Sequence, residues 1–205
     1  MAFAPSDHAS DAGLTAHKIL IAGGFGAGKT TLVSAISEVR PLLTEEPLSA
    51  ASVGRDSLAG LPDKKTTTVA LDFGRITISD SLVLYLFGVP GQERFWFMWD
   101  ELAYGALGAV VLADVRRLDD CFPSVNYFET RDLPFIVAVN CFDDAPRYDP
   151  AEIRMALDLD EEVPLVLADA RDQASAKETL IRLVESIAAG NGRNSAQGRT
   201  LSIGR

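Results

Sequence analysis

The sequence predicts an α/β fold: a six-stranded, mostly parallel sheet with one antiparallel edge hairpin and helices on both faces. Three observations carry this. The apolar runs Ala109–Ala113, Phe135–Asn140 and Pro164–Ala168 are each followed by a segment able to form a helix, and strands alternating with helices imply parallel pairing through crossovers. Two strand-like stretches meet at Ser79-Asp80-Ser81, the pattern of a hairpin. The first apolar run, Lys18–Ala22, ends in glycines before a helical pattern begins near Thr30.

Residues 1–16 are rich in Ala, Ser, Asp and Gly and read as a flexible leader. One domain is expected over residues 17–190. Within it, Lys18–Ala22 is the first strand and Thr30–Val39 the first helix. Arg40–Lys65 carries Pro41, Pro47, Gly54, Gly60 and Pro62 with little periodicity. So long a loop in a compact domain is usually functional. Thr66–Ile78 alternates as one strand and Leu82–Phe87 makes the second arm of the hairpin. The helices expected after the remaining strands are Leu118–Phe128, Pro150–Leu157 and Ala174–Ala189. Residues 191–205 are polar, carry Arg193, Arg199 and Arg205, and read as a disordered tail.

The chain has 205 residues, 47% of them hydrophobic, which is enough to build a substantial core and excludes a mainly disordered protein. A formal charge of −10 disfavours nucleic acid as the main ligand. No apolar run approaches the ~20 residues of a membrane span. Cys121 and Cys141 make no disulfide framework, which fits a reducing compartment, so a cytoplasmic location is expected.

The strongest motif is Gly23-Gly24-Phe25-Gly26-Ala27-Gly28-Lys29-Thr30, which fits G-x-x-x-x-G-K-[ST] at every fixed position. A phosphate chain needs a backbone that curls around it with N–H groups turned inward, and glycines permit that path. The helix that follows adds its positive end. Lys29 places a full charge between the β- and γ-phosphates, and the Thr30 hydroxyl is an oxygen ligand of the kind Mg²⁺ prefers. The expected phosphate-binding set is Gly24, Phe25, Gly26, Ala27, Gly28, Lys29, Thr30 and Thr31.

Asn140-Cys141-Phe142-Asp143 follows a strand directly, on the side where open α/β sheets bind ligands. A carboxylate such as Asp143 accepts two hydrogen bonds from guanine N1–H and its exocyclic amine, a donor pair adenine lacks. Asn140 can bridge guanine N7 and the phosphate loop. The stretch resembles the N-K-x-D guanine motif of small GTPases, with Cys141 at the lysine position. Asp169-Ala170-Arg171 stands where that family has S-A-K, which implies a backbone N–H, that of Ala170, on guanine O6 and Arg171 over the base.

Gly88-Val89-Pro90-Gly91-Gln92-Glu93-Arg94-Phe95 resembles the D-x-x-G-Q-E-R-F second switch of Ras-, Rab- and Arf-like GTPases. The resemblance implies that the Gly91 N–H meets the γ-phosphate and that Gln92 orients the attacking water. Gly88 takes the place of the family's magnesium-holding aspartate, so metal binding weakens unless Asp72 or another group replaces it. The first switch implies a threonine ligand of Mg²⁺ among Thr66, Thr67 and Thr68, with Thr67 the central choice. Phe95, Trp96, Phe97, Met98 and Trp99 cannot all face inward on a helix, which suggests a partner surface.

Together these stretches resemble bacterial Ras-like small GTPases, and most closely the conservon-type GTP-binding proteins of actinomycetes, through Lys65–Gly74, Phe87–Phe95 and Asp169–Arg171. The gliding-polarity small GTPases are more distant. The resemblance implies a GTP/GDP switch using GTP and Mg²⁺, with catalysis by Gln92 and Lys29. It also implies a roadblock/LC7-type partner and a histidine-kinase-like sensor. Hydrolysis is expected to be slow because no arginine finger is evident; Arg55, Arg75 and Arg94 are candidates, or a partner supplies one. Two rivals stand beside this: a nucleotide-binding pseudo-GTPase without hydrolysis, and a P-loop ATPase or small-molecule kinase.

Overall fold

The computed structural model describes residues 14–39, 44–47, 66–69 and 71–200. Its main sheet has six strands in the order β4-β5-β1-β6-β7-β8, where β1 is Thr15–Gly23, β4 Phe73–Ser79, β5 Leu82–Gly88, β6 Ala106–Ala113, β7 Phe135–Asn140 and β8 Leu165–Ala168. All neighbours pair in parallel except β4 and β5, the edge hairpin. The expected fold class is the observed one.

Period-two alternation explains why the sheet is covered on both sides. In β1, Ile19 and Ile21 face one core layer while Leu20 and Ala22 face the other. The first layer is closed by α1 (Lys29–Ile36) through Leu32, Val33 and Ile36, and by α5 (Gln173–Thr200) through Ala176, Leu180 and Leu183. The second is closed by α2 (Trp99–Ala103), α3 (Phe122–Thr130) and α4 (Pro150–Ala156), with Trp99, Val125, Phe128 and Ile153 buried there. An Asp149–Glu152 capping box starts α4, each side chain bonding the other's backbone N–H.

Four segments differ from expectation. Thr66–Ile78 is not one strand. Thr66–Val69 (β3) pairs with Thr44–Pro47 (β2) in a separate two-stranded sheet, and β4 begins only at Phe73. Asp72 lies in the break between them, with its side chain hydrogen-bonded to Thr30 rather than set in a ladder. The expected helix Leu118–Phe128 is a 3-10 turn, Val115–Cys121, followed by α3. Arg117 breaks it with non-helical angles (φ −148, ψ 57), and Pro123 in the first turn suits a fresh start. The backbone of α5 continues to Thr200, where a disordered tail had been expected from residue 191; extending an existing helix needs no new nucleus. Finally, β1 starts at Thr15, inside the expected leader, whose residues 1–13 lie outside the described ones, as do 48–65 and 201–205.

The aromatic run after Gln92 divides as helix geometry demands. Phe95 and Trp99 are buried, whereas Phe97 is 43% exposed. No described helix is long and apolar enough to cross a membrane.

Candidate functional site

Parallel strands finish together, so the turns after β1, β5, β6, β7 and β8 gather along one edge of the sheet. The loop after β1 turns through Gly26 (φ +78) and Gly28 (φ +106), left-handed conformations that favour glycine. A Cβ at residue 28 would also lie 2.4 Å from Asn140 Nδ2. Gly28 caps α1, so the helix N-terminus opens directly onto the loop.

Lys29 curls back into that loop and donates to the carbonyls of Gly23 (2.9 Å) and Gly24 (2.7 Å). Burial lowers its pKa from 10.5 to about 8, partly opposed by the charge of Asp72. A partly desolvated ammonium held by neutral carbonyls beside a helix N-terminus is built to take an anion. Thr30 Oγ1 donates to Asp72 Oδ2 at 2.7 Å, and Thr31 is exposed beside it on the cavity rim.

The loop after β5 rests on this cradle. A Cβ at Gly91 would lie 2.6 Å from the Gly23 carbonyl oxygen and 3.1 Å from Lys29 Nζ, so only glycine lets the backbone come this close. Gln92 lines the same cavity of about 560 Å³ as Lys29, Thr30 and Asp72. Trp99 Nε1 donates to the Pro90 carbonyl at 3.1 Å and pins the loop to the second core layer. The side chains of Thr66, Thr67 and Thr68 lie outside the described residues.

The arginine candidates fare unevenly. Arg75 pairs with Glu38 at 3.0 Å, so its guanidinium is spent away from the cradle. Arg55 and the Arg94 side chain lie outside the described residues. Arg117, which sequence reasoning missed, donates through Nη2 to the Phe25 carbonyl of the phosphate loop and pairs with Asp120 at 2.8 Å. Its place just after the buried strand β6 was the available signal, since such strand ends face the ligand.

On the opposite flank, Asn140 is buried and bridges two loops. Its Nδ2 donates to the Ala27 carbonyl at 2.9 Å, and its Oδ1 accepts from the Ala170 N–H at 3.1 Å. The bridge to the phosphate loop is as expected. The Ala170 N–H, expected on a base oxygen, is instead given to Asn140. Arg171 grips Asp143 through Nη1 (2.6 Å) and Nη2 (3.0 Å) and also holds Asp169, bonding its Oδ1 from Nε at 2.9 Å. It therefore pulls the Asp169 carboxyl down to about 2 and keeps Asp143 below the ordinary carboxylate range. Arg116 sits over the Phe142 ring, 4.0 Å from its centroid, and pairs with Asp114 and Asp144, fixing the loop after β7 to the turn after β6.

Residues 21–190 match the model of a family described as "conserved hypothetical ATP binding protein". The chain belongs to this family. An uncharacterized protein of Methanocaldococcus jannaschii is 26% identical over 125 residues, covering 60% of this chain and 68% of that protein. Among solved structures, the G domain of the T. maritima FeoB iron transporter is similar with a TM-score of 0.56 and 19% identity, covering 85% of this chain and 98% of that one. The FeoB G-domain from Methanococcus jannaschii gives a TM-score of 0.57 at 12% identity, covering 85% and 99%. The cytosolic domain of T. maritima FeoB in a GDP form gives 0.61 at 19%, covering 85% of this chain and 64% of that one. The member of this family described here thus has the fold of a G domain and the loop of a nucleotide-binding P-loop protein.

Proposed function

We propose that this chain binds guanine nucleotides and works as a GTP/GDP switch with slow, magnesium-dependent hydrolysis. The observation that carries this reading is the seat of Gly91 against the Gly23 carbonyl and Lys29 Nζ. The loop 88–92 lies so close to the cradle that a terminal phosphate decides where the loop sits. Gln92, at the cavity wall, orients the attacking water. Lys29 and the backbone N–H groups of the loop stabilise the charge that develops on the phosphate oxygens. Thr30, with one of Thr66, Thr67 and Thr68 (Thr67 the central choice), would hold a magnesium ion, which would supply positive charge to the phosphates. Asp143 reads the base once Arg171 lets go.

The partner surface centres on the exposed Phe97. A roadblock/LC7-type regulator and a histidine-kinase-like sensor as occupants, the conservon-type assignment and a cytoplasmic location all rest on the sequence resemblance.

A second reading, an adenine nucleotide site, has its own support. The two groups expected to read guanine, Asp143 and the Ala170 N–H, are already engaged, and the family description names ATP. Competition against bound fluorescent GDP separates the two. GTP is expected to displace it at a concentration at least about a hundredfold below that of ATP, because a site that pairs donors with a carboxylate rejects a base lacking them. Equal displacement by ATP overturns the guanine assignment.

A further inference from the structure

Asp143 and the phosphate loop belong to different connections of the sheet, yet a nucleotide must reach both at once. Asn140 ties the root of the base loop to the Ala27 carbonyl, but Asp143 stands further along that loop. Cys141 does not extend the tie; its thiol turns back to the Val139 carbonyl of its own strand at 3.7 Å. The tip of the loop is held instead by the turn Val115–Cys121. The Arg116 guanidinium lies 4.0 Å from the centroid of the Phe142 ring, and its Nη1 donates to both carboxylate oxygens of Asp144, at 3.0 and 3.1 Å. One side chain thus grips the residues immediately before and after Asp143.

The same turn lies against the phosphate loop. A Cβ at Gly24 would lie 2.4 Å from Asp120 Cβ, and Arg117 donates to the Phe25 carbonyl while pairing with Asp120. Both arginines are anchored at one point. Asp114, directly after β6, is only 7% exposed. Its carboxylate accepts from the Arg116 N–H (3.0 Å), Nε (2.9 Å) and Nη2 (2.7 Å), and its carbonyl accepts from the Arg117 N–H at 2.9 Å. A buried carboxylate cannot give up its cation cheaply, so the anchor is firm. The irregular backbone at Arg117 then sends the second arm the other way.

A nucleotide is a two-headed ligand, a base and a phosphate chain joined by a sugar of fixed reach. Joining two weak heads multiplies their affinities only when the receiving loops stand at a matching separation. Holding those loops in place beforehand also removes the cost of ordering them on binding. We propose that Arg116 and Arg117 are positioning residues that form one bracket, anchored on Asp114, and that this bracket sets the spacing between base loop and phosphate loop so that base and phosphates bind as a unit. This rests on the nucleotide reading above, but not on which base is bound.

The test is calorimetry on the full chain with guanosine, inorganic pyrophosphate and GDP, and in parallel with adenosine and ADP. The product of the two head dissociation constants, divided by that of the nucleotide, is the effective concentration at which one bound head meets the other's site. Arg117→Met cuts the bracket at the phosphate loop. Phe142→Leu/Asp144→Ala cuts it at the base loop and leaves the buried Asp114–Arg116 pair intact. Each cut is expected to lower the effective concentration about tenfold while moving either head's own constant less than about twofold. Because one bracket is severed either way, the combined variant should fall little further than either cut alone. General loosening of the fold weakens the heads and the nucleotide together and leaves the effective concentration unchanged; that result overturns the proposal. So do fully additive losses in the combined variant, which would mean two separate supports. If adenosine and ADP give the expected pattern and guanosine does not bind, the guanine assignment fails and this inference stands. Failure of both nucleotides to bind the unaltered chain defeats the nucleotide reading, and the bracket with it.

Discussion

Arg171 holds both carboxylate oxygens of Asp143, at 2.6 and 3.0 Å, while its Nε holds Asp169. On the proposed guanine reading the carboxylate is thus paired before any base arrives, and a guanine would have to exchange with a guanidinium. Exposed pairs of this kind are weak because water competes for both partners, so the exchange is readily made. Guanosine, which has no phosphates, isolates the step. Arg171→Ala is expected to raise guanosine affinity about threefold. Unchanged or weaker guanosine binding in calorimetry would mean that the arginine is needed on the base and does not compete with it.

Lys29 gives the site a pH signature. Its pKa in the folded chain is about 8 against an ordinary 10.5, because the ammonium is desolvated. Between these values the unfolded chain binds more protons than the folded one, so the nucleotide-free protein gains stability as pH rises through that window. A phosphate chain favours the charged amine, so nucleotide binding at pH 8 is expected to take up about half a proton. Affinity should fall as pH climbs above that point. Calorimetry at pH 8 in buffers of different ionisation enthalpy measures the uptake. Lys29→Arg, charged throughout, should show none.

Asn140 is a joint between the phosphate loop and the loop after β8. Replacing it by alanine strands the buried Ala27 carbonyl and the Ala170 N–H that it now pairs. The expected cost is about 1–3 kcal/mol, seen as a melting temperature several degrees lower in the absence of nucleotide. Asn140→Asp should be worse, since a carboxylate oxygen would face the Ala27 carbonyl. A melt within a degree or so of the unaltered chain would show that the joint is not structural.

Much of this is legible in the sequence, and the reason is local. The strands were visible because alternation and short apolar runs report directly on burial. The phosphate loop was visible because Gly28 and Lys29 stand at fixed spacing in one continuous stretch. What escaped was assembled across the sheet. Asp72 is named from the sequence as a replacement for the carboxylate absent at residue 88, but the alternation of Thr66–Ile78 hides the break that carries it beside Thr30 and Gly88. Arg116 and Arg117 follow β6 side by side, yet one turns to Phe142 and the other to the Phe25 carbonyl. The irregular backbone at Arg117, which has no sequence signature, separates them. The pairing of Asp143 with Arg171 joins loops 28 residues apart, a contact that only the parallel order of β7 and β8 creates.

Movement of the loop after β5 would be felt in the second core layer. Trp99 is almost wholly buried, stacks on Phe128 with a centroid distance of 6.4 Å, and donates its indole N–H to the Pro90 carbonyl. It therefore joins the loop that rests on the phosphate cradle to the rigid layer under α3. If a terminal phosphate repositions residues 88–92, Pro90 must carry its carbonyl with it. The indole then either follows into worse packing or gives up its hydrogen bond; both change its emission. Exchange of GDP for a non-hydrolysable GTP analogue is accordingly expected to shift the tryptophan fluorescence, with Trp99→Phe removing most of the change and Trp96→Phe keeping it. Trp99→Phe also deletes the tether, so the loop should sample more positions without nucleotide and amide exchange across 88–92 should quicken. Identical spectra in the two nucleotide states, with exchange in 88–92 equally slow in both proteins, would mean that the loop is held still and that the chain binds nucleotide without switching.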